Sequence, residues 1–427
     1  MYTASRTKAA RPLSNLCIQG AVVGRRFGEP PRGTLRDYQL SFAIPLVLVL
    51  KHNLRFGEKM KAISIYTGAG GLDVGFHAAG LQIVAAAELD GAACQTFHAN
   101  FPETRLFQGT VIDALYANFF NVKADVLIGG PPCQGFSVAG KMDPSDPRSA
   151  EIFRYLDVLR YVQPKAFVME NVKALAKLSK WEFVREKIAH EAKRAGYELR
   201  MIVLNSAEYG VPQKRERVFF VGISADQFGS AAAHSALDSM LSKIETFKTE
   251  PKTIGEIVQS LGPAGSQGNP RICNAKVMFA ANPIMRRSPY AGMLFNGAGR
   301  PISSSGVSST LPASMGGNKT PIVDEAEIFE SKSSYVESYH SHLMAGGKPR
   351  KGQAPKRLRR LTVDECIAIQ SFPSDYCFEG SQSAVFKQIG NAVPPLLAKA
   401  VGESLASELS VLASIVPKKA MKIPKIR

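Results

Sequence analysis

The sequence predicts an α/β protein with a mostly parallel sheet, joined to a second, smaller and more irregular lobe. Three observations predict it. From Lys61 to about Ala225, short apolar, β-branched runs alternate with helical stretches, the pattern of a sheet covered by helices on its faces. Several of those runs end on glycine, proline or a carboxylate, which gathers polar chemistry at the carboxyl edge of the strands. Between Gly222 and Arg360 the pattern breaks: Gly, Ser, Pro and Asn cluster with basic residues and helical periodicity is poor.

Composition bounds the function classes. A chain of 427 residues, 45% apolar and 8% aromatic, has ample material for a core and is not disordered as a whole. Lys and Arg number 53 against 36 Asp and Glu, a net charge of +17. Such an excess suggests a polyanionic partner, nucleic acid before membrane surface, with a basic solubilising surface as the bland alternative. The six cysteines (Cys17, Cys94, Cys133, Cys273, Cys366, Cys377) include no Cys-x-x-Cys, and no histidine stands at metal-ligand spacing. Neither a metal nor a disulfide framework is expected, and reduced cytosolic thiols fit best. The apolar run Phe42–Leu50 is too short to cross a bilayer and too deep for a usual signal peptide, so no membrane partner is expected.

Residues 1–60 carry no readable motif. They form an extension, disordered or upstream of a natural start at Met60, which immediately precedes the first convincing strand, Lys61–Tyr66. That strand runs into Thr67-Gly-Ala-Gly-Gly-Leu-Asp-Val-Gly-Phe76, a glycine-rich turn opening a helix. A second strand, Gln82–Glu88, ends on a carboxylate. Glycines admit close backbone approach and a carboxylate accepts from ribose hydroxyls, so the pair reads as a nucleoside site. The alternative is a tight turn that binds nothing. The spacing is not Gly-x-Gly-x-x-Gly, which argues against a dinucleotide.

A strand is expected over Arg105–Val111, then a fully buried one at Val126–Ile128. Gly129-Gly-Pro-Pro132 stops that strand, and the loop that follows presents Cys133. A thiol on such a loop has the access and fixed direction that a nucleophile needs. A helix over Glu151–Tyr161 leads to the strand Ala166–Val172, where Glu170 ends a buried run. It caps the next turn or, with burial raising its pKa, donates a proton. After the strand Glu198–Leu204, alternation puts Gln213, Arg215 and Arg217 on one face as a further core strand begins.

Together these residues resemble the DNA (cytosine-5)-methyltransferase family, and bacterial modification enzymes in particular. The motifs are Pro131-Pro-Cys-Gln-Gly-Phe-Ser137, Glu170-Asn-Val172, Gln213-x-Arg-x-Arg217, Arg360-Leu-Thr-Val-Asp-Glu-Cys-Ile-Ala-Ile-Gln-Ser-Phe-Pro373 and Gln388-Ile-Gly-Asn-Ala-Val-Pro-Pro395, after the glycine-rich turn. The resemblance implies a Rossmann-like, S-adenosylmethionine-dependent domain over 61–225, completed by 384–410. It also implies a target-recognition domain over 226–383, and 411–427 reads as a basic tail. Cys133 would be the nucleophile at cytosine C6, Glu170 the partner of ring N3, and Arg217 with Arg215 the stabilisers of developing charge. Tyr66, Gly68, Gly70, Gly71 and Leu72 would carry S-adenosylmethionine with Glu88 on its ribose. Val111, Pro131 and Ile152 would line the pocket, and Asn391 and Val393 would return from the C-terminus beside the Gly68 turn to close it.

Gln134, Ser137, Gln213, Thr310 and Leu311 are the expected DNA contacts, and the basic stretch Lys348–Arg360 suits phosphates unless it is a solvated linker. Three departures from the family pattern stand out: Tyr66 for phenylalanine, Ile152 for leucine, and Gly109-Thr-Val111 for Gly-Asp-Ile. The last implies an altered contact to the adenine amine. The expected protein is a cytoplasmic, nucleoid-associated monomer acting on duplex DNA, with a cognate restriction endonuclease sharing its site. A tRNA cytosine-5 methyltransferase and a catalytically inactive DNA-binding module are the alternatives; the long 223–359 segment argues against the first and the presence of Cys133, Glu170 and Arg217 against the second.

Overall fold

Val126-Leu-Ile-Gly129, buried at every position, is the middle of a seven-stranded sheet. The structure, a computed structural model, describes residues 59–132 and 150–415. In chain order its first part comprises β1 (Lys61–Ile65), α1 (Gly71–Ala78), β2 (Gln82–Glu88), α2 (Gly91–Asn100), β3 (Arg105–Gln108), α3 (Val111–Tyr116), β4 (Val126–Gly129), α4 (Glu151–Val162) and β5 (Ala166–Val172). There follow α5 (Lys173–Lys177), α6 (Glu182–Arg194), β6 (Tyr197–Asn205), β7 (Gln213–Lys214), β8 (Glu216–Ser224), α7 (Ala225–Phe228) and α8 (Ser230–Glu245). The strand order is β3-β2-β1-β4-β5-β8-β6, parallel from β3 to β5 and antiparallel where β8 meets β5 and β6. The order reverses between β1 and β4. Ligands of such sheets bind at the carboxyl side of that reversal.

Strand alternation sorts the core into two layers. Val126 and Ile128 face α1, α8 and the C-terminal helix, whereas Leu127 faces α4 and its neighbours. Tyr155 pins α4 to the sheet, its hydroxyl lying 3.0 Å from the carbonyls of both Leu127 and Val168. One expectation needs correction here. The strand expected over Arg105–Val111 ends at Gln108, because Thr110 caps a helix: its hydroxyl accepts from the Asp113 amide at 3.1 Å, so Val111 is helical. Ala233, Ala236, Leu237, Met240 and Ile244 of α8 form one buried stripe on the sheet.

The smaller lobe contains α9 (Ile254–Leu261), β9 (Phe279–Ile284), β10 (Met293–Phe295), β11 (Ser308–Ser309), β12 (Ile322–Asp324), α10 (Glu325–Glu330), α11 (Tyr335–Met344), β13 (Leu358–Arg360), α12 (Val363–Ile369) and α13 (Gln382–Asn391). The helices α9 and α12 each begin on a complete capping box, Thr253 with Glu256 and Thr362 with Glu365. Three of the seven basic residues of 348–360 serve as internal framing, and Arg350 is exposed. Arg357 pairs with Asp324, Arg359 with Glu325 and Glu365, and buried Arg360 donates to the carbonyls of Asn296, Gly299 and Thr320. Lys348, Lys351 and Lys356 stay exposed.

The chain then returns to the large sheet as α14 (Pro395–Ile415). Leu397, Val401, Leu405, Leu409 and Leu412 pack against α1 and α8, each worth about 1.5–3 kcal/mol relative to exposure. The helix runs to Ile415, with Leu412 buried; residues 416–427 and 1–58 lie outside the described residues.

Candidate active site

Two turns leave the sheet at the strand-order reversal. The first follows β1. Tyr66 takes a left-handed backbone conformation, φ +55°, rare for a side chain of its size. Its hydroxyl donates to Glu151 Oε2 at 2.8 Å and approaches the Glu151 carbonyl at 3.2 Å. Gly68 (φ +56°) and Gly70 (φ +79°) continue the turn, and a side chain on Gly68 would meet only open space. Glu88, at the end of β2, grips this turn: Oε2 accepts from the Gly68 amide and Oε1 from the Leu89 and Asp90 amides, all at 2.8 Å. A carboxylate has about four lone-pair sites, so Glu88 keeps one for a ligand hydroxyl.

Beneath the turn lies Asp73, fully buried, its Oδ2 accepting from the Thr67 hydroxyl. Burial raises its carboxyl to about 6, although the Thr67 and Ser64 hydroxyls pull the other way. Above α1 the C-terminal segment closes in. A Cβ on Gly71 would stand 2.3 Å from the Val393 carbonyl and 3.0 Å from Ala392 Cβ, so only glycine fits. Tyr376 donates its hydroxyl to the Ala69 carbonyl. The return of the C-terminal segment to the Gly68 turn, expected from the sequence, is therefore present.

The second turn follows β4. Asn171 Nδ2 donates to the Pro131 carbonyl at 3.1 Å, and a Cβ on Gly130 would lie 2.9 Å from Glu170 Oε2. Glu170 thus faces the backbone that leads to Cys133. Arg217 Nε sits 2.8 Å from Glu170 Oε1 with both side chains largely buried. Burial raises the Glu170 pKa, and the Arg217 and Arg215 charges oppose that rise. Cys133, Gln134 and Ser137 lie outside the described residues.

Gln213 and Arg215 form a junction instead of an open polar face. Gln213 is wholly buried; its Oε1 accepts from the Leu311 amide at 2.9 Å and its Nε2 donates to Gln370 Oε1. Gln370 passes the chain on, donating to the Ala392 carbonyl at 2.6 Å. Arg215, 1% exposed, donates to the carbonyls of Leu311, Gly390 and Asn391. These groups bind the smaller lobe to β7 and to the segment that covers Gly71.

A family model for C-5 cytosine-specific DNA methylases matches residues 60–407. The chain belongs to that family. As a methylase of this kind it transfers a methyl group from S-adenosylmethionine to C5 of cytosine in DNA. Among named relatives, the type II methyltransferase M1.HphI of Haemophilus parahaemolyticus is 32% identical over 353 residues, covering 80% of this chain and 86% of its own. M.DdeI of Desulfomicrobium norvegicum is 30% identical, covering 81% and 88%. The same fold occurs in a structure titled as a putative DNA modification methyltransferase encoded in an Escherichia coli prophage. Its TM-score is 0.56 at 21% identity, covering 82% of this chain and 99% of that one.

Against that membership, the sequence-expected residues of this methylase divide clearly. Tyr66, Gly68, Gly70, Gly71, Leu72, Glu88, Pro131 and Val393 gather at the two turns, with Glu170 and Arg217 alongside. Asn391 is exposed beside them. Val111 and Ile152, expected to line the pocket, are 2% and 0% exposed within the core and present no surface. Gln213 and Leu311, expected on DNA, are buried, Gln213 in its hydrogen bonds and Leu311 in the apolar cluster with Ile254 and Phe386, whereas Thr310 is exposed with its hydroxyl on the Lys214 carbonyl. Sequence reasoning missed Asp73, Glu151, Tyr376 and Gln370. Asp73 and Gln370 both lie inside motifs, the Thr67–Phe76 turn and the Gln370-Ser-Phe-Pro373 stretch.

The residues fit S-adenosylmethionine: open space over Gly68, a carboxylate with one acceptor site spare, and glycine at two of the turn's three left-handed positions. Thr110, the cap of α3, donates to Asp113 Oδ2 at 2.7 Å, so a carboxylate stands one turn beyond the family's usual position. Among the described residues no cluster of three or more His, Cys, Asp or Glu could hold a metal, and no helix is long and apolar enough to cross a membrane.

Proposed function

We propose that this methylase is the modification partner of a restriction endonuclease, methylating a cytosine flipped out of one duplex DNA sequence through a covalent adduct between Cys133 and cytosine C6. The named relatives are type II methyltransferases, which supports the pairing with an endonuclease that shares the site. The observation that carries the chemical reading is the Glu170–Arg217 pair, buried against Gly130 three positions before Cys133.

The chemistry assigns each group a task. Cytosine C5 is a poor nucleophile, and a base stacked in a duplex cannot be reached at all, so the base must leave the stack. The Cys133 thiolate forms a bond to C6, and the ring π pair moves toward C5 as Glu170 donates a proton to N3. Arg217, beside Glu170, stabilises charge on the ring. Bound S-adenosylmethionine supplies a methyl group on a positive sulfur that leaves with its electron pair. C5 takes that methyl, N3 returns its proton to Glu170, a base removes the C5 proton, and the pair from that C–H bond reforms the C5–C6 double bond as Cys133 departs as thiolate. Within the recognition lobe, Thr310 on the β11 strand end is the exposed member of the expected DNA-contact pair.

Duplex DNA bearing 5-fluorocytosine at the target tests this reading. Fluorine does not leave as a cation, so the enzyme should stall as a denaturation-resistant adduct that requires S-adenosylmethionine and maps to Cys133. Cys133→Ser should abolish it while DNA binding persists. No adduct from active enzyme, or near-normal methylation by the serine variant, overturns the reading; adduct on tRNA but not on duplex DNA would favour an RNA substrate.

A further inference from the structure

A left-handed backbone at a tyrosine persists only where its surroundings hold it there. At Tyr66 the holder is visible. The ring leaves the end of β1, crosses to the start of α4, and sets its hydroxyl 2.8 Å from Glu151 Oε2. Glu151 is itself fixed, its Oε1 taking Arg154 Nη1 at 2.7 Å, and α4 is anchored one turn later by Tyr155 on the Leu127 and Val168 carbonyls. The Tyr66 hydroxyl is therefore tied to a rigid post. Immediately after Tyr66 come Thr67 and Gly68, the residues gripped by Asp73 and Glu88. Phenylalanine in this position would lack the tie.

We propose that the Tyr66–Glu151 hydrogen bond is a positioning device for the methyl donor: it holds the turn Tyr66–Gly71 in its strained, ligand-ready conformation before S-adenosylmethionine arrives. Ordering that would otherwise be charged to binding is completed in the free protein. Tyr66 and Glu151 act here through the turn backbone, and the inference rests on the reading of this turn as the cofactor site.

The test is a double-mutant cycle on the full chain, read as the dissociation constant of S-adenosylhomocysteine by calorimetry and as KM for S-adenosylmethionine. Tyr66→Phe and Glu151→Ala should each weaken binding about tenfold, the scale of one hydrogen bond to a carboxylate. The loss should fall on KM more than on kcat. The double variant should be no weaker than either single one, because both remove the same tie. Glu151→Gln, which keeps an acceptor oxygen, should recover most of the affinity. Additive losses, or unchanged binding in Tyr66→Phe, overturn the inference. Tyr66→Ala separates it from the underlying reading. If that variant binds normally, the turn is not the cofactor site; if it fails while Tyr66→Phe binds normally, the site stands and the tie is idle.

Discussion

Glu170 and Arg217 are diagonal neighbours on adjacent antiparallel strands: β8 sets Arg217 opposite Val172 and Phe219 opposite Glu170, and the two side chains meet at 2.8 Å. The sheet register itself builds the pair. Arg217→Met should therefore cost roughly 3–5 kcal/mol of stability, since it strands a buried carboxylate whose pKa burial already raises. The double variant Glu170→Gln/Arg217→Met should be much less destabilised than the sum. Urea unfolding measures both, and simple additivity would show that the pair carries no coupling.

Gln213 yields a prediction that separates a structural role from the DNA contact its motif suggested. Gln213→Ala leaves the Leu311 amide and Gln370 Oε1 without their partners, an expected loss of roughly 2–3 kcal/mol. The slope of DNA affinity against salt should not change, because no phosphate contact is lost. A variant of unaltered stability with a shallower salt slope would return Gln213 to the DNA interface.

Glu88→Ala should weaken S-adenosylhomocysteine binding by at least about tenfold. Two losses combine: the free acceptor site for a ribose hydroxyl and the clamp on the Gly68 amide. Calorimetry reads the affinity; unchanged binding would mean the ribose is held elsewhere.

Asp73 predicts a pH dependence of stability. Its folded pKa, about 6, lies above its ordinary value of 3.8, so the folded chain holds this proton more tightly than the unfolded one. The resulting stability is fully present below about pH 4 and is lost as pH rises through about 6, roughly 3 kcal/mol in all. Asp73→Asn should flatten that part of the profile in denaturant titrations between about pH 4 and 7. An equally steep decline in the variant would assign it to another group.

Much of this was legible in the sequence, and the exceptions share a physical cause. Strands such as Ala166–Val172 are legible because apolar runs are buried on both faces, and Glu88, Glu170 and Arg217 stand out because each sits where such a run starts or stops. The stripe of α8 escaped notice because alanine and serine dilute it, leaving Leu237, Met240 and Ile244 to carry the period. Gln213, expected to contact DNA, is buried for a different reason. Alternation tells which side of a strand a residue occupies, yet not whether another part of the chain covers that side, and here Gln370 and Leu311 do. Glu151 is invisible from sequence, since its partner Tyr66 lies 85 residues away.

The contact between Gly71 and Val393 fixes the order of events during synthesis. The glycine-rich turn after β1 emerges from the ribosome early, but the residues that roof it and the helix that backs α1 are among the last of the described chain to be made. At roughly 5–20 residues per second the wait is on the order of half a minute. Throughout that interval the apolar flank of α1 awaits its partner, a large-separation contact of the kind that slows folding. A nascent chain stalled before Pro395 should thus hold a formed central sheet yet bind no nucleoside, which ties competence to modify a genome to the completion of translation.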